Sequence, residues 1–143
     1  MIAPLRPDDV DDAVALWTEA GLTRPWNDAA GDFLRAVDGP ASVVLGVREG
    51  RELIGTAMVG HDGHRGWVYY VATDPQLRAK GYGRAIMHAA EDWLRAAGIA
   101  KLQLLVRPEN AGVAAFYQSI GFGEQKILFF TKWLDGREQP TVS

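Results

Sequence analysis

The chain has 143 residues, 48% apolar and 23% charged, with a formal charge of −3 and no cysteine. That length suits one domain with a real core, the net acidity disfavours a general polyanion binder such as a DNA protein, and the lack of cysteine excludes disulfides, cysteine–zinc sites and a thiol nucleophile. The opening stretch lacks a signal peptide's basic start and apolar run, and nothing approaches the roughly 20 apolar residues of a membrane span, so a cytoplasmic protein with no nucleic-acid or membrane partner is expected.

A first helix is predicted from Pro7 to Ala20, with Asp8, Asp9, Asp11 and Asp12 at its dipole-favoured start and Val10, Ala13, Val14 and Trp17 on one stripe. After "GLTRPWND", Asn27 or Asp28 caps a second helix that buries Phe33, Leu34 and Val37 and stops at Gly39-Pro40. The run "SVVLGVREGRELIGTAMVGHDGHRGWVYYVAT" reads as three strands turning at Glu49-Gly50 and at Asp62-Gly63 or His64-Arg65-Gly66. A third helix follows Gly83 with Ala85, Ile86, Ala89, Trp93 and Ala97 inward, and Gly98 ends it. His88 shares its polar face with Arg84, Asp92 and Arg95. "KLQLLVRPEN" reads as a buried strand, "AGVAAFYQSI" as a short helix closed by Gly121, and "KILFFTKWL" as a final strand. The order ααβββαβαβ implies an α/β (α+β) fold with a mixed sheet and helices on both faces. One domain is expected over residues 1–134, with 135–143 as a polar tail.

Between the third strand and the third helix stands "RAKGYG", residues 78–83. Free N–H groups at a helix start favour phosphate, and glycine lets the backbone approach an anion closely. Arg78, Lys80 and Arg84 add local positive charge to an acidic chain. Those properties suit a pyrophosphate cradle, though a plain glycine turn with solvated basic residues fits the same letters. The P-loop and dinucleotide patterns are both absent.

"RAKGYG" also resembles the (Gln/Arg)xxGx(Gly/Ala) signature of the GCN5-related N-acetyltransferases (GNAT), and it follows a strand ending "YYVATDP" as it does there. Downstream, "VRPENAGVAAFYQSIGF" resembles that family's second signature through Asn110, Phe116-Tyr117 and Gly121-Phe122. The combination "RPWNDAA…GHDGHRGWVYY" is similar to a small bacterial subgroup, the YpeA-like proteins.

The resemblance implies a GNAT fold, with a mostly antiparallel sheet of about six strands and a splayed parallel pair. It implies acetyl-CoA as co-substrate and direct transfer of the acetyl group to an amine. Backbone N–H groups of Ala79, Lys80, Gly81, Tyr82, Gly83 and Arg84 would hold the pyrophosphate, and Arg78, Asn110 and Tyr117 would also contact the cofactor. Val71, Ala72 and Thr73 would pair with the pantetheine arm, and a bulge near Val71 would point its N–H at the thioester oxygen. Tyr117 would be the general acid. Leu105 and Trp67 occupy positions where relatives carry an acidic base, so the base is open, and both count against a ribosomal-protein N-terminal acetyltransferase.

Two segments are left for the acceptor. "TRPWND" offers Trp26 and Asn27, and the turn entering the acyl strand offers His61, Asp62, His64 and Tyr70. A hydrogen-bonded surface turn explains the histidines equally well, and a metal site is not expected. The acceptor is a small-molecule amine or a peptide or protein amine, and the protein is a monomer or homodimer. A second reading is an acyl-CoA sensing module without catalysis, and a nucleotide binder using the same loop is a third.

Overall fold

Three consecutive runs rich in β-branched and aromatic residues form the centre of one sheet: β2 (Ser42–Glu49), β3 (Glu52–His61) and β4 (Gly66–Thr73). The computed structural model describes residues 1–77 and 80–138, which divide between two units, Met1–Leu105 and Val106–Ser143. The first unit also holds β1 (Ile2–Pro4), α1 (Val10–Glu19), α2 (Ala29–Asp38), α3 (Tyr82–Ala96) and β5 (Leu102–Gln103), and the second holds α4 (Ala111–Ser119). The strand order is β1-β2-β3-β4-β5. The first four are antiparallel neighbours and β5 runs parallel to β4.

Strand alternation sends successive side chains to opposite faces. Gly55 faces α3, so closely that an added Cβ would lie 2.6 Å from Ile86 Cδ1, and Gly66 sits under the same helix, 2.5 Å from Leu94 Cδ1 by the same measure. Thr56, the next residue on β3, faces α1 and meets Trp17. Helices therefore cover both faces of the sheet. Trp17, Phe33 and Val44 are fully buried on the α1/α2 side, and Ile86 and Met87 are fully buried on α3.

Several expectations need correction. Among the described residues the sheet has five strands rather than about six. β1 escaped notice because three residues ending in Pro4 carry no readable period; they pair with Leu45 to Val47. Among the described residues the segment 126–134 joins no ladder, since a β-branched and aromatic composition describes a surface suited to pairing and does not itself supply a partner. "KLQLLVRPEN" contributes only Leu102–Gln103 to the sheet, and Leu105 is 54% exposed. In α3 the buried set is Ile86, Met87, Ala90 and Leu94, one position round from the predicted stripe, leaving Trp93 half-buried. The alanines on both sides of that helix made the stripe ambiguous. In α2, Phe33 and Ala36 are buried and Leu34 is exposed. Asp28 is the cap, its Oδ1 accepting from the Gly31 N–H at 3.0 Å.

Among the described residues no helix is long and apolar enough to cross a membrane.

Candidate functional site

β4 pairs with β5 only through Gly66↔Leu102 and Trp67↔Gln103. From Val68 to Thr73, that side of β4 has no strand partner among the described residues. Its other side stays in register with β3 except at one point. Thr56 pairs with Ala72 and Met58 with Tyr69, so β4 fits an extra residue there. The parallel pair therefore opens, and β4 carries a β-bulge at Tyr70–Val71, near the point where the family resemblance implied one.

Tyr70 lies in the left-handed region at φ 50°. For an L-residue with a bulky side chain this costs on the order of 1–3 kcal/mol and persists only under constraint. The constraints are visible. The Tyr70 ring stacks on Trp17 with centroids 3.9 Å apart, its hydroxyl donates to Asp32 Oδ2 at 2.8 Å, and its carbonyl accepts from Thr56 Oγ1 at 3.0 Å. Asp32 is also paired with Arg35.

Burial, then the hydrogen bond and charge of Asp32, push the Tyr70 hydroxyl up from 10.0 to about 12. A raised phenol means that the folded chain holds this proton longer than the unfolded one. Its stabilising contribution is therefore whole below pH 10 and is lost as pH climbs toward about 12. Urea titrations across that window should show a shallower loss of stability for Tyr70→Phe than for wild type; parallel curves would refute the assignment.

Downstream, Asp74 shapes the exit from β4. Its N–H donates to the Ile54 carbonyl at 2.8 Å, its own carbonyl takes the Leu77 N–H at 2.8 Å, and its Oδ1 takes the Gln76 N–H at 2.9 Å. Arg78 and Ala79, both expected in the phosphate cradle, lie outside the described residues. Gly81 is the N-cap of α3 at φ 86°, with no side-chain capping bond. A left-handed N-cap suits glycine. The absence of a side-chain cap leaves the first-turn N–H groups of a 15-residue helix without such a partner. Lys80 and Arg84 are exposed beside them. Tyr82 ties this corner to the β2–β3 hairpin by donating its hydroxyl to Glu49 Oε1 at 2.8 Å. The corner has the chemistry of an anion seat.

The acceptor candidates do not converge in the same way. In the β3–β4 turn, Asp62 Oδ1 accepts from the N–H groups of His64 and Arg65, and His61 Nδ1 accepts from that of Gly63. These backbone N–H bonds hold the Asp62 carboxyl below its usual range. Those polar groups close the turn, and His61 packs near Trp93. Trp26 and Asn27 are exposed on the segment before α2. Of the six candidates, Tyr70 alone belongs to the bulge.

In the second unit, α4 ends in a Schellman motif: Gly121, at φ 105°, donates to Gln118 O and Phe122 to Tyr117 O. The accompanying apolar contact is Phe122 on Tyr117, with centroids 5.6 Å apart, and Phe116 flanks the same ring. Burial raises the Tyr117 hydroxyl above its usual range. Asn110 precedes α4 and its side chain makes no capping bond.

The acetyltransferase (GNAT) family profile matches residues 5–122. This chain belongs to that family. The match spans both signatures of the GNAT protein and reaches into both of its units. Among solved structures, it is similar to the ribosomal-protein-S18-alanine N-acetyltransferase of Escherichia coli at 26% identity, with 87% of this chain and 78% of that one covered and a TM-score of 0.75. A candidate acetyltransferase of Agrobacterium tumefaciens gives 22% identity, 93% and 99% coverage and a TM-score of 0.79. The aminoglycoside enzyme AAC(6')-Iy, held with a bisubstrate analog built on CoA, gives 16% identity, 93% and 97% coverage and 0.80.

Sequence reasoning missed Thr56, and it treated Trp17 only as core and Asp32 not at all. One signal was available: Thr56 is the only buried polar side chain among the described residues, and it interrupts the otherwise apolar and small-residue run "LIGTAMVG".

Proposed function

We propose that this GNAT protein transfers the acetyl group of acetyl-CoA directly to a primary amine of a small molecule, peptide or protein. The observation that carries the reading is a strand that leaves its parallel neighbour, bulges at Tyr70–Val71 and runs into a helix start without a side-chain cap. Exposed Lys80 and Arg84 beside that start fit a diphosphate in charge and in donor chemistry. On this reading, residues 1–134 are one catalytic domain.

Val71, Ala72 and Thr73 pair with the pantetheine arm along the open edge of β4. Lys80, Gly81, Tyr82, Gly83 and Arg84 hold the diphosphate, joined by Arg78 and Ala79, and Asn110 is a further cofactor contact. The Val71 N–H meets the thioester oxygen, and a fixed donor at that point is worth about 3 kcal/mol as negative charge builds there. The amine nitrogen attacks the carbonyl carbon, the C–S bond breaks, and the thiolate takes a proton from Tyr117. With Leu105 and Trp67 at the family's acidic positions, the amine's proton leaves through water, or the amine arrives neutral.

Tyr117, whose hydroxyl is raised by burial, stays protonated through neutral pH. Tyr117→Phe should lower kcat by about 100-fold while leaving CoA affinity unchanged; full turnover would remove the assignment.

The central test is calorimetric titration with CoA and acetyl-CoA, followed by thiol release against a panel of amines. Solved neighbours named for an aminoglycoside and for a ribosomal-protein alanine recommend cationic small amines and peptide N-termini for that panel. No heat with either ligand would defeat the proposal. Tight binding without thiol release would select the sensing module, which the absence of a carboxylate at positions 67 and 105 favours.

A further inference from the structure

We infer that Thr56 is a positioning residue that aims the Val71 N–H at the acyl group by holding the Tyr70 carbonyl, with Trp17 and Asp32 bracing the same residue. The inference rests on the acetyl-CoA reading above and adds what sets the donor's direction.

Tyr70 is the only non-glycine residue at positive φ among the described residues, so the bulge needs something to hold it. Thr56 is fully buried and its hydroxyl is used twice, accepting from Trp17 Nε1 at 2.8 Å and donating to the Tyr70 carbonyl at 3.0 Å. An indole nitrogen only donates. The Thr56 oxygen must therefore accept from it, and its single proton is committed to Tyr70.

Peptide planarity carries the consequence across the bond. Among the described residues no peptide bond is cis, and in a trans unit the carbonyl and the following N–H point in opposite directions. With the Tyr70 carbonyl drawn toward Thr56 on β3, the Val71 N–H is turned away from β3. That is the side of β4 where pairing with β5 has already ended. The Trp17 stack and the Asp32 hydrogen bond fix the side chain of the same residue, which leaves the peptide little freedom to flip. A Thr56 that only satisfied the Trp17 indole would leave the Val71 N–H indifferent to its loss.

The test uses the whole protein and acetyl-CoA labelled with carbon-13 at the carbonyl, so no acceptor is needed. Bound to wild type, the carbonyl resonance should move downfield of free acetyl-CoA, as a hydrogen bond to its oxygen requires. Thr56→Val should lose at least half of that displacement while its CoA affinity stays within about threefold of wild type, and Thr56→Ser should restore it. Asp32→Ala, a change at a half-buried side chain outside the fully buried core, should reduce the displacement in the same sense and serves if Thr56→Val does not fold. Bound acetyl-CoA with an unmoved resonance in wild type, or equal displacements in wild type and variants, overturns the inference and leaves acetyl-CoA binding intact. No binding to wild type overturns both.

Discussion

Replacing Gly83 with glutamate is expected to abolish useful CoA binding while leaving the protein as stable as before, or more so. Gly83 is the second residue of α3. At that position a glutamate gains about 0.5–1 kcal/mol of helix propensity over glycine and roughly 0.3–1 kcal/mol from the helix dipole. The same carboxylate would stand where a diphosphate is proposed to sit. Two like charges about 4 Å apart near a protein surface repel by on the order of 4 kcal/mol, so a loss of about 100-fold or more in affinity follows. Gly83→Gln, similar in bulk and uncharged, should lose far less. Calorimetry and thermal melting on the three proteins separate the effects, because ordinary damage to the fold would lower affinity and melting temperature together. Glutamate that binds CoA as tightly as glutamine does would remove the diphosphate from this corner.

Trp17→Ala should be the most damaging single change to the fold. The indole is fully buried, crosses Phe33 edge-on at 6.0 Å and stacks on Tyr70 at 3.9 Å. Truncating a buried aromatic to alanine costs about 3–5 kcal/mol, a large share of the 5–15 kcal/mol typical of a whole domain. Denaturant titration measures it. A loss below about 1 kcal/mol would mean that the α1 face of the sheet is far less tightly packed than these contacts indicate. Trp17→Phe, which keeps an aromatic ring but a smaller one and drops the N–H, should fall between wild type and Trp17→Ala.

Much of this architecture was legible in the sequence because it is written in local chemistry. β-Branched runs broken by Glu49-Gly50 and by the turn signals within residues 62–66 gave β2, β3 and β4 near their observed bounds. Gly98 and Gly121, both at positive φ, marked the ends of α3 and α4. The bulge was expected through family resemblance, and the register shows it. What stayed hidden depends on partners. Nothing in "IAP" says that it pairs with β2, and nothing in "KILFFTKWL" says whether a ladder awaits it. The face that α3 buries turned on Gly55 and Gly66, whose missing side chains admit Ile86 and Leu94. Thr56, Trp17, Asp32 and Tyr70 are separated by up to 39 positions in their direct hydrogen bonds. Only the folded sheet brings them to one peptide.

Those two bare seats under α3 have a consequence for how cofactor length is matched. On the proposed acetyl-CoA reading, the fixed reach of pantetheine has to match the span from the bulge to the first turn of α3. Gly55 and Gly66 govern that span from beneath, by letting the helix rest against β3 and β4. Enlarging either would wedge the helix off the sheet and, on that reading, shift the proposed diphosphate seat relative to the bulge. Any chain that gains bulk at 55 or 66 therefore has to shed it at 86 and 47 or at 94, and those positions are the natural coordinates for resetting how closely α3 lies on the sheet.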